Sequence, residues 1–155
     1  MQIRNATIKD ADAIRYLFYD TVTYINSKHY TPRQIEVWRS GYNNIYSWKK
    51  KIAEQYFLIA ETENKIAGFA SLTSEGYLDF MYVNKDLQGK GIAKNLLDAL
   101  EVKAKELNLK EIITDSSITA KRFFEKKDFR VIQISVKEIG GVNFLNMKMK
   151  KILKY

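Results

Sequence analysis

The sequence predicts a mixed α/β fold, one sheet carrying helices on both faces, in a single domain spanning residues 1–155. Three observations carry that expectation. Segments with strand and helix patterning follow one another as strand, two or three helices, three strands, helix, strand, helix and two strands. The run Tyr77 to Val83, aromatic and β-branched, passes through a glycine-rich turn into apolar residues at helical spacing, namely Ile92, Leu96, Leu100 and Ala104. Gly140-Gly141 separates two further strand-like segments and suits the positive-φ positions of a tight hairpin.

Each element follows from its residues. Ile3 to Thr7 reads as a short strand. Asp10 and Asp12 suit the first turn of a helix whose apolar stripe is Ile14, Leu17, Phe18, Val22 and Ile25. That helix fades near Asn26-Ser27-Lys28. Thr31-Pro32-Arg33-Gln34 combines a capping box with proline at the first helical position, so a second helix runs toward Ser40 and stops at Gly41. Tyr42 to Tyr46 is expected to be irregular, with Ser47 capping a short helix toward Glu54. Tyr56 to Glu61 and Ile66 to Thr73 read as antiparallel strands about Glu63-Asn64-Lys65, with Gly68 marking a bulge. Glu75-Gly76 turns the chain into the central strand, which Asn84, Lys85 and Asp86 end. After the long helix, Glu111 to Thr114 is a strand, and Ser117 or Thr119 caps a helix through Lys127. Phe129 to Glu138 and Val142 to Lys150 are the last two strands.

Composition narrows the function. A chain of 155 residues, 46% hydrophobic with a mean hydropathy of -0.35, is expected to be a soluble globular domain large enough for a full core. No apolar run is long enough to span a membrane, and Met1-Gln2-Ile3-Arg4-Asn5 lacks the apolar region of a signal peptide, so a cytoplasmic location and no membrane partner are expected. The absence of cysteine removes disulfides, thiolate nucleophiles and zinc-thiolate sites, and a single histidine removes multi-histidine centres, so no metal is expected. The net charge of +8 is scattered except in Lys148 to Lys154, where Met147 and Met149 alternate with Lys148 and Lys150 as in a one-sided strand. No nucleic-acid partner is expected from it.

The segment Gln88-Gly89-Lys90-Gly91-Ile92-Ala93 is the strongest chemical signal. A strand feeding a glycine-rich turn that opens a helix is an anion site, because the first helical turn has unpaired N–H groups at the positive end of the macrodipole. Glycine at 89 and 91 lets a phosphate approach the backbone closely. The spacing fits neither a Walker loop nor the dinucleotide fingerprint.

This loop, taken with Ile3-Arg4-Asn5-Ala6-Thr7 and Asp10 and with Ala120-Lys121-Arg122-Phe123-Phe124-Glu125-Lys126-Lys127-Asp128-Phe129, resembles the GCN5-related N-acetyltransferase family over nearly the whole chain. His29-Tyr30-Thr31-Pro32, Trp38 and Asp115-Ser116-Ser117-Ile118-Thr119-Ala120 resemble its YafP-like branch. The resemblance implies a mostly antiparallel sheet that splays after the central strand, with acetyl-CoA as co-substrate. Its pyrophosphate would rest on the amides of Gln88 through Ala93. Its pantetheine arm would pair with backbone near Met81 and Val83, and the coenzyme-binding residues would include Tyr82, Ser117 and Phe124. The implied reaction is acetyl transfer to the amine of a small molecule or peptide, with a silent acyl-CoA-binding module as the alternative. Relatives are often dimers, so a homodimer is the expected assembly.

Asp79, an acid within an otherwise apolar strand and near the implied acetyl site, is the first candidate for the base that deprotonates the amine. Strand alternation places Tyr77, Asp79 and Met81 on one face and Leu78, Phe80 and Tyr82 on the other. Asp115 is the second candidate, against a reading as helix cap or Asx turn, and Glu75 the third. Three departures from the family pattern stand out. Phe124 occupies the position of the usual proton-donating tyrosine, leaving that task to water or Tyr82. Ser117 stands where relatives often carry an asparagine that contacts the coenzyme. Asp128 in place of glycine predicts a different turn. Tyr30, Trp38 and His29 are the candidates for contact with the acceptor.

Overall fold

The computed structural model describes all 155 residues. β1 (Gln2–Asn5), β2 (Tyr56–Thr62), β3 (Lys65–Leu72), β4 (Tyr77–Val83), β5 (Glu111–Ser116), β6 (Arg130–Ile139) and β7 (Val142–Ile152) form one sheet in the order β1-β2-β3-β4-β5-β7-β6. All neighbours are antiparallel except β4 and β5, which are parallel and share two register pairs, Tyr77 with Ile113 and Leu78 with Thr114. The helices are α1 (Ala11–Tyr24), α2 (Pro32–Arg39), α3 (Ile45–Glu54), α4 (Ile92–Glu106) and α5 (Ile118–Lys126).

Strand alternation divides the interior into two cores. Leu58, Ala60, Ala70 and Leu72 meet Leu96, Leu97, Leu100 and Ala104 of α4, with Phe124 and Phe129 beside them. Phe57, Ile59 and Phe69 meet Ile14, Leu17, Phe18 and Val22 of α1, with Ile35, Trp48 and Ile52 from the next two helices. Burying a leucine-sized side chain contributes roughly 1.5–3 kcal/mol, so these stripes are the main force holding the helices to the sheet.

The predicted capping box is present: Gln34 N–H donates to Thr31 Oγ1 at 3.2 Å and Thr31 N–H to Gln34 Oε1 at 2.8 Å. The third helix differs from expectation. Ser40–Asn43 forms a single 3-10 turn, and Asn44, not Ser47, caps α3 by accepting the Ser47 N–H on its Oδ1 at 3.1 Å. An asparagine carboxamide reaches the third helical N–H as well as a serine hydroxyl does, so the helix starts three residues earlier than Ser47 alone implies.

Gly68 lies beside the predicted bulge, where Ala60 pairs with Gly68 but Glu61 pairs with Ile66. A Cβ at 68 would stand 2.9 Å from the Tyr82 carbonyl oxygen and 3.0 Å from Ile92 Cγ2, so glycine sets how closely β4 and α4 approach. Asp128 does not alter the turn after α5. It adopts φ 70°, the left-handed conformation glycine would take, while Phe129 N–H reaches back to the Phe124 carbonyl at 3.0 Å and the two rings pack 5.1 Å apart. This is a Schellman closure with its usual apolar contact. Because a non-glycine residue is strained there, Asp128→Gly is expected to stabilise the protein by about 1 kcal/mol, read as a higher Tm in thermal unfolding.

Candidate active site

The site begins at a second bulge. Ser71 pairs with Phe80 but Leu72 pairs with Leu78, which leaves Asp79 as the extra residue of β4. The expected alternation is therefore interrupted. Leu78, Met81 and Val83 pack toward α4, whereas Phe80 and Tyr82 pack toward α1. A bulge shifts the side-chain phase by one residue, so Leu78 parts company with Phe80 and Tyr82.

Beyond Leu78, β4 has no β5 partner. Thr114 Oγ1 closes the pairing by donating to the Leu78 carbonyl at 2.9 Å. At the far end, Thr21 Oγ1 and Gln88 Nε2 both donate to the Val83 carbonyl, at 3.0 and 2.7 Å. Gln88 thus braces the glycine loop against the strand it leaves. Gly89 and Gly91 take φ 74° and 80°, and nothing lies within 4 Å of where either Cβ would stand. Gly91 is the N-cap of α4 with no side chain covering it, so the first-turn N–H groups open toward the space beside β4. The loop residues are exposed apart from Ile92, which anchors the turn in the core, and the partly buried Ala93. Lys90 sits at the exposed tip.

A cleft of about 620 Å³ runs from this loop along β4, bordered by Met81, Tyr82, Val83, Gly89, Gly91 and Ala93 on one side and Ser117, Phe123 and Phe124 on the other. A second cleft, about 470 Å³, opens on the other side of the splay between α2 and the β6–β7 hairpin. Trp38, Asp79, Tyr82, Asp115, Ser116 and Ser117 border both. The two spaces meet where β4 and β5 part.

Both candidate carboxylates stand at that junction, and both are held. Asp79 accepts from Gln55 Nε2 at 2.8 Å and pairs with Lys51 Nζ at 3.1 Å, contacts supplied by α3 and the residue after it. Asp115 is neither a cap nor an Asx turn, because Ser117 caps α5 by accepting the Ala120 N–H at 3.1 Å. It accepts instead from Tyr77 Oη at 2.8 Å and Asn146 Nδ2 at 2.8 Å, with Lys137 Nζ 3.5 Å away. Burial opposes its charge, but the Asn146 and Tyr77 hydrogen bonds and the Lys137 charge outweigh burial and hold its pKa below the usual carboxylate range. Burial and the Asp115 carboxylate push the Tyr77 phenol up, and burial pushes the Tyr82 phenol up.

A carboxyl held low in the folded state adds stability that is complete above its unfolded pKa and is lost as pH falls through the folded one. Asp10 behaves likewise, held down first by its hydrogen bonds from Arg4. Tm is therefore expected to fall as pH drops below about 4. Melting curves of Asp115→Asn should show a shallower acid decline; an unchanged slope would contradict this account.

Of the expected acceptor residues, two reach the second cleft and one does not. Tyr30 and Trp38 line it with their rings 5.0 Å apart at 81°, and Phe144 completes the wall at 6.2 and 6.4 Å from them. Tyr30 Oη accepts the Ile118 N–H at 2.8 Å, and Trp38 Nε1 donates to Tyr82 Oη at 3.2 Å. His29 faces Thr119 Oγ1 at 3.0 Å on the surface and borders neither cleft. Glu75 is exposed and borders neither cleft. Phe124 is buried between Phe123 and Phe129, with an edge on the first cleft. Phe144, Asn146 and Lys137 were not among the expected site residues. Their signal lay in the hairpin's alternation, which puts Phe144 and Asn146 on the face opposite Met147 and Met149.

No helix is long and apolar enough to cross a membrane. An acetyltransferase (GNAT) domain model matches residues 26–151, and the chain belongs to that family of acyl-CoA-dependent N-acetyltransferases. Among individual relatives, it is 33% identical over 150 residues to the uncharacterized N-acetyltransferase YafP of Escherichia coli (strain K12), covering 97% of this chain and 95% of that protein. The crystal structure of a GCN5-related N-acetyltransferase from Rhodopseudomonas palustris superposes with a TM-score of 0.95 at 28% identity, over 98% of this chain and 95% of that one. The PaiA N-acetyltransferase of Thermoplasma acidophilum, solved in complex with coenzyme A, superposes with a TM-score of 0.81 at 20% identity over 98% of each chain.

Proposed function

We propose that this protein transfers an acetyl group from acetyl-CoA to the amine of a small molecule or peptide, by direct attack of the amine on the thioester. The observation that carries the reading is the meeting of two clefts at the unpaired stretch of β4. One cleft begins at a glycine loop suited to a pyrophosphate; the other is walled by aromatic rings and suits an acceptor.

In this reading the amides of Gln88 through Ala93 hold the pyrophosphate, with the open N-terminus of α4 behind them. The backbone of Met81 and Val83 pairs with the pantetheine arm along the edge β5 leaves free. An N–H near Met81 holds the thioester oxygen as negative charge develops there, commonly a large part of catalysis. Asp79 takes the proton of the attacking amine, directly or through a water. Tyr82, its phenol kept protonated by burial, stands at the junction to supply a proton to the departing thiolate in place of the phenylalanine at 124. That donor is not obligatory, since a thiol pKa of about 8.5 already makes the thiolate a fair leaving group. Tyr30 and Trp38 hold the acceptor.

Thiol release measured over a panel of amines, amino acids, polyamines and peptide N-termini tests the proposal. Turnover with at least one class supports it. Calorimetric binding of acetyl-CoA with no thiol release from any acceptor would mark a silent acyl-CoA-binding module instead.

A further inference from the structure

The wall of the first cleft opposite α5 contains a polar group with nothing to bind. Asn26, in the turn after α1, is 5% exposed and borders the cleft beside Thr21 and Ile25. Its Oδ1 is buried without a hydrogen-bond partner. Two other buried side-chain oxygens are unpaired, on Gln55 and Ser71, and neither residue borders a cleft. The hydroxyls near this stretch each have a partner. Thr21 donates to Val83, Thr114 to Leu78, Ser116 to the Ser117 carbonyl, and Ser117 accepts from Ala120.

An amide buried without a partner is destabilising, and it persists where binding supplies the missing bond. Asn26 borders the same cleft as Thr21, which holds the Val83 carbonyl, and as Trp38 and Tyr82, beside which the acyl group would lie. A ligand threading from the glycine loop to that junction passes this carboxamide with its amide-bearing arm.

We propose that Asn26 is a coenzyme-binding residue that hydrogen-bonds an amide of the pantetheine arm from the α1 side of the cleft. The inference rests on the acyl-CoA reading above.

Its test is isothermal calorimetry on the full chain, with acetyl-CoA and with phosphoadenosine diphosphate, the nucleotide half of the coenzyme that lacks the arm. Asn26→Leu, close in size, should bind acetyl-CoA about tenfold to hundredfold more weakly than wild type while binding the nucleotide half equally well. Its Tm without ligand should be unchanged or raised, because an unsatisfied amide has been removed. Asn26→Ala should weaken acetyl-CoA in the same selective way. Unchanged acetyl-CoA affinity in both variants overturns the proposal. So does an equal loss for both ligands with a lowered Tm, which would make Asn26 structural. If wild-type protein binds neither ligand, the acyl-CoA reading itself fails, and that result is distinct from either of these.

Discussion

Asp79→Asn is expected to lower kcat at neutral pH by roughly two to four orders of magnitude, the usual contribution of a positioned proton acceptor. The reason is geometric. The bulge makes Asp79 an extra residue in β4, at the place where the two clefts meet and where β5 leaves the strand uncovered. Gln55 and Lys51 fix its carboxylate from behind, so the replacement keeps shape and a hydrogen-bond acceptor while removing the charge that takes the proton. The KM for acetyl-CoA should change little, since no part of the glycine loop is touched. Turnover near that of wild type would dismiss Asp79 and pass the role to Asp115. Asp115 is the weaker candidate, because both of its oxygens are taken, Oδ1 by Asn146 and Oδ2 by Tyr77, whereas Gln55 and Lys51 both meet Asp79 at Oδ2.

The second large effect concerns the loop. Gly91→Glu places a carboxylate at the open N-terminus of α4, where the proposed reading puts the pyrophosphate. Two like charges about 4 Å apart near a protein surface repel by about 4 kcal/mol, close to a thousandfold in affinity. Calorimetry with acetyl-CoA should show that loss. Gly91→Ala serves as the control: its Cβ meets no atom, so it carries only the strain of φ 80° and should cost about 1–2 kcal/mol of stability. If the glutamate variant binds acetyl-CoA as well as the alanine variant does, the phosphate does not rest on this helix end.

The glycine loop and the elements around it were legible because their signals are local. The period of Ile92, Leu96, Leu100 and Ala104, the Thr31–Gln34 box and the Gly140-Gly141 hairpin each lie within a few residues. The bulge at Asp79 was not legible. It arises from how β4 pairs with β3, and nothing in Tyr77 to Val83 alone distinguishes a regular strand from one with a residue to spare. The same holds for the Asp115 cluster, whose partners Tyr77 and Asn146 lie 38 and 31 residues away in the chain. Ser47 was the expected cap of α3, and the Asn44 carboxamide takes that place, with Trp48 and Ile52 of the helix in the α1 core. That Phe124 has no proton to give follows from the residue alone, but its burial between Phe123 and Phe129 required the fold.

The short contact between β4 and β5 also governs how this molecule moves. Within the sheet, a four-stranded half meets a three-stranded half over two rungs of ladder, with side-chain bonds from Thr114 to Leu78 and from Tyr77 to Asp115 beside them. Flexing at this seam should loosen neither half internally, so amides on both flanks would exchange deuterium together in a partial opening well below global unfolding. A ligand wedged into the seam would act as a staple, slowing uptake along the facing edges of β4 and β5.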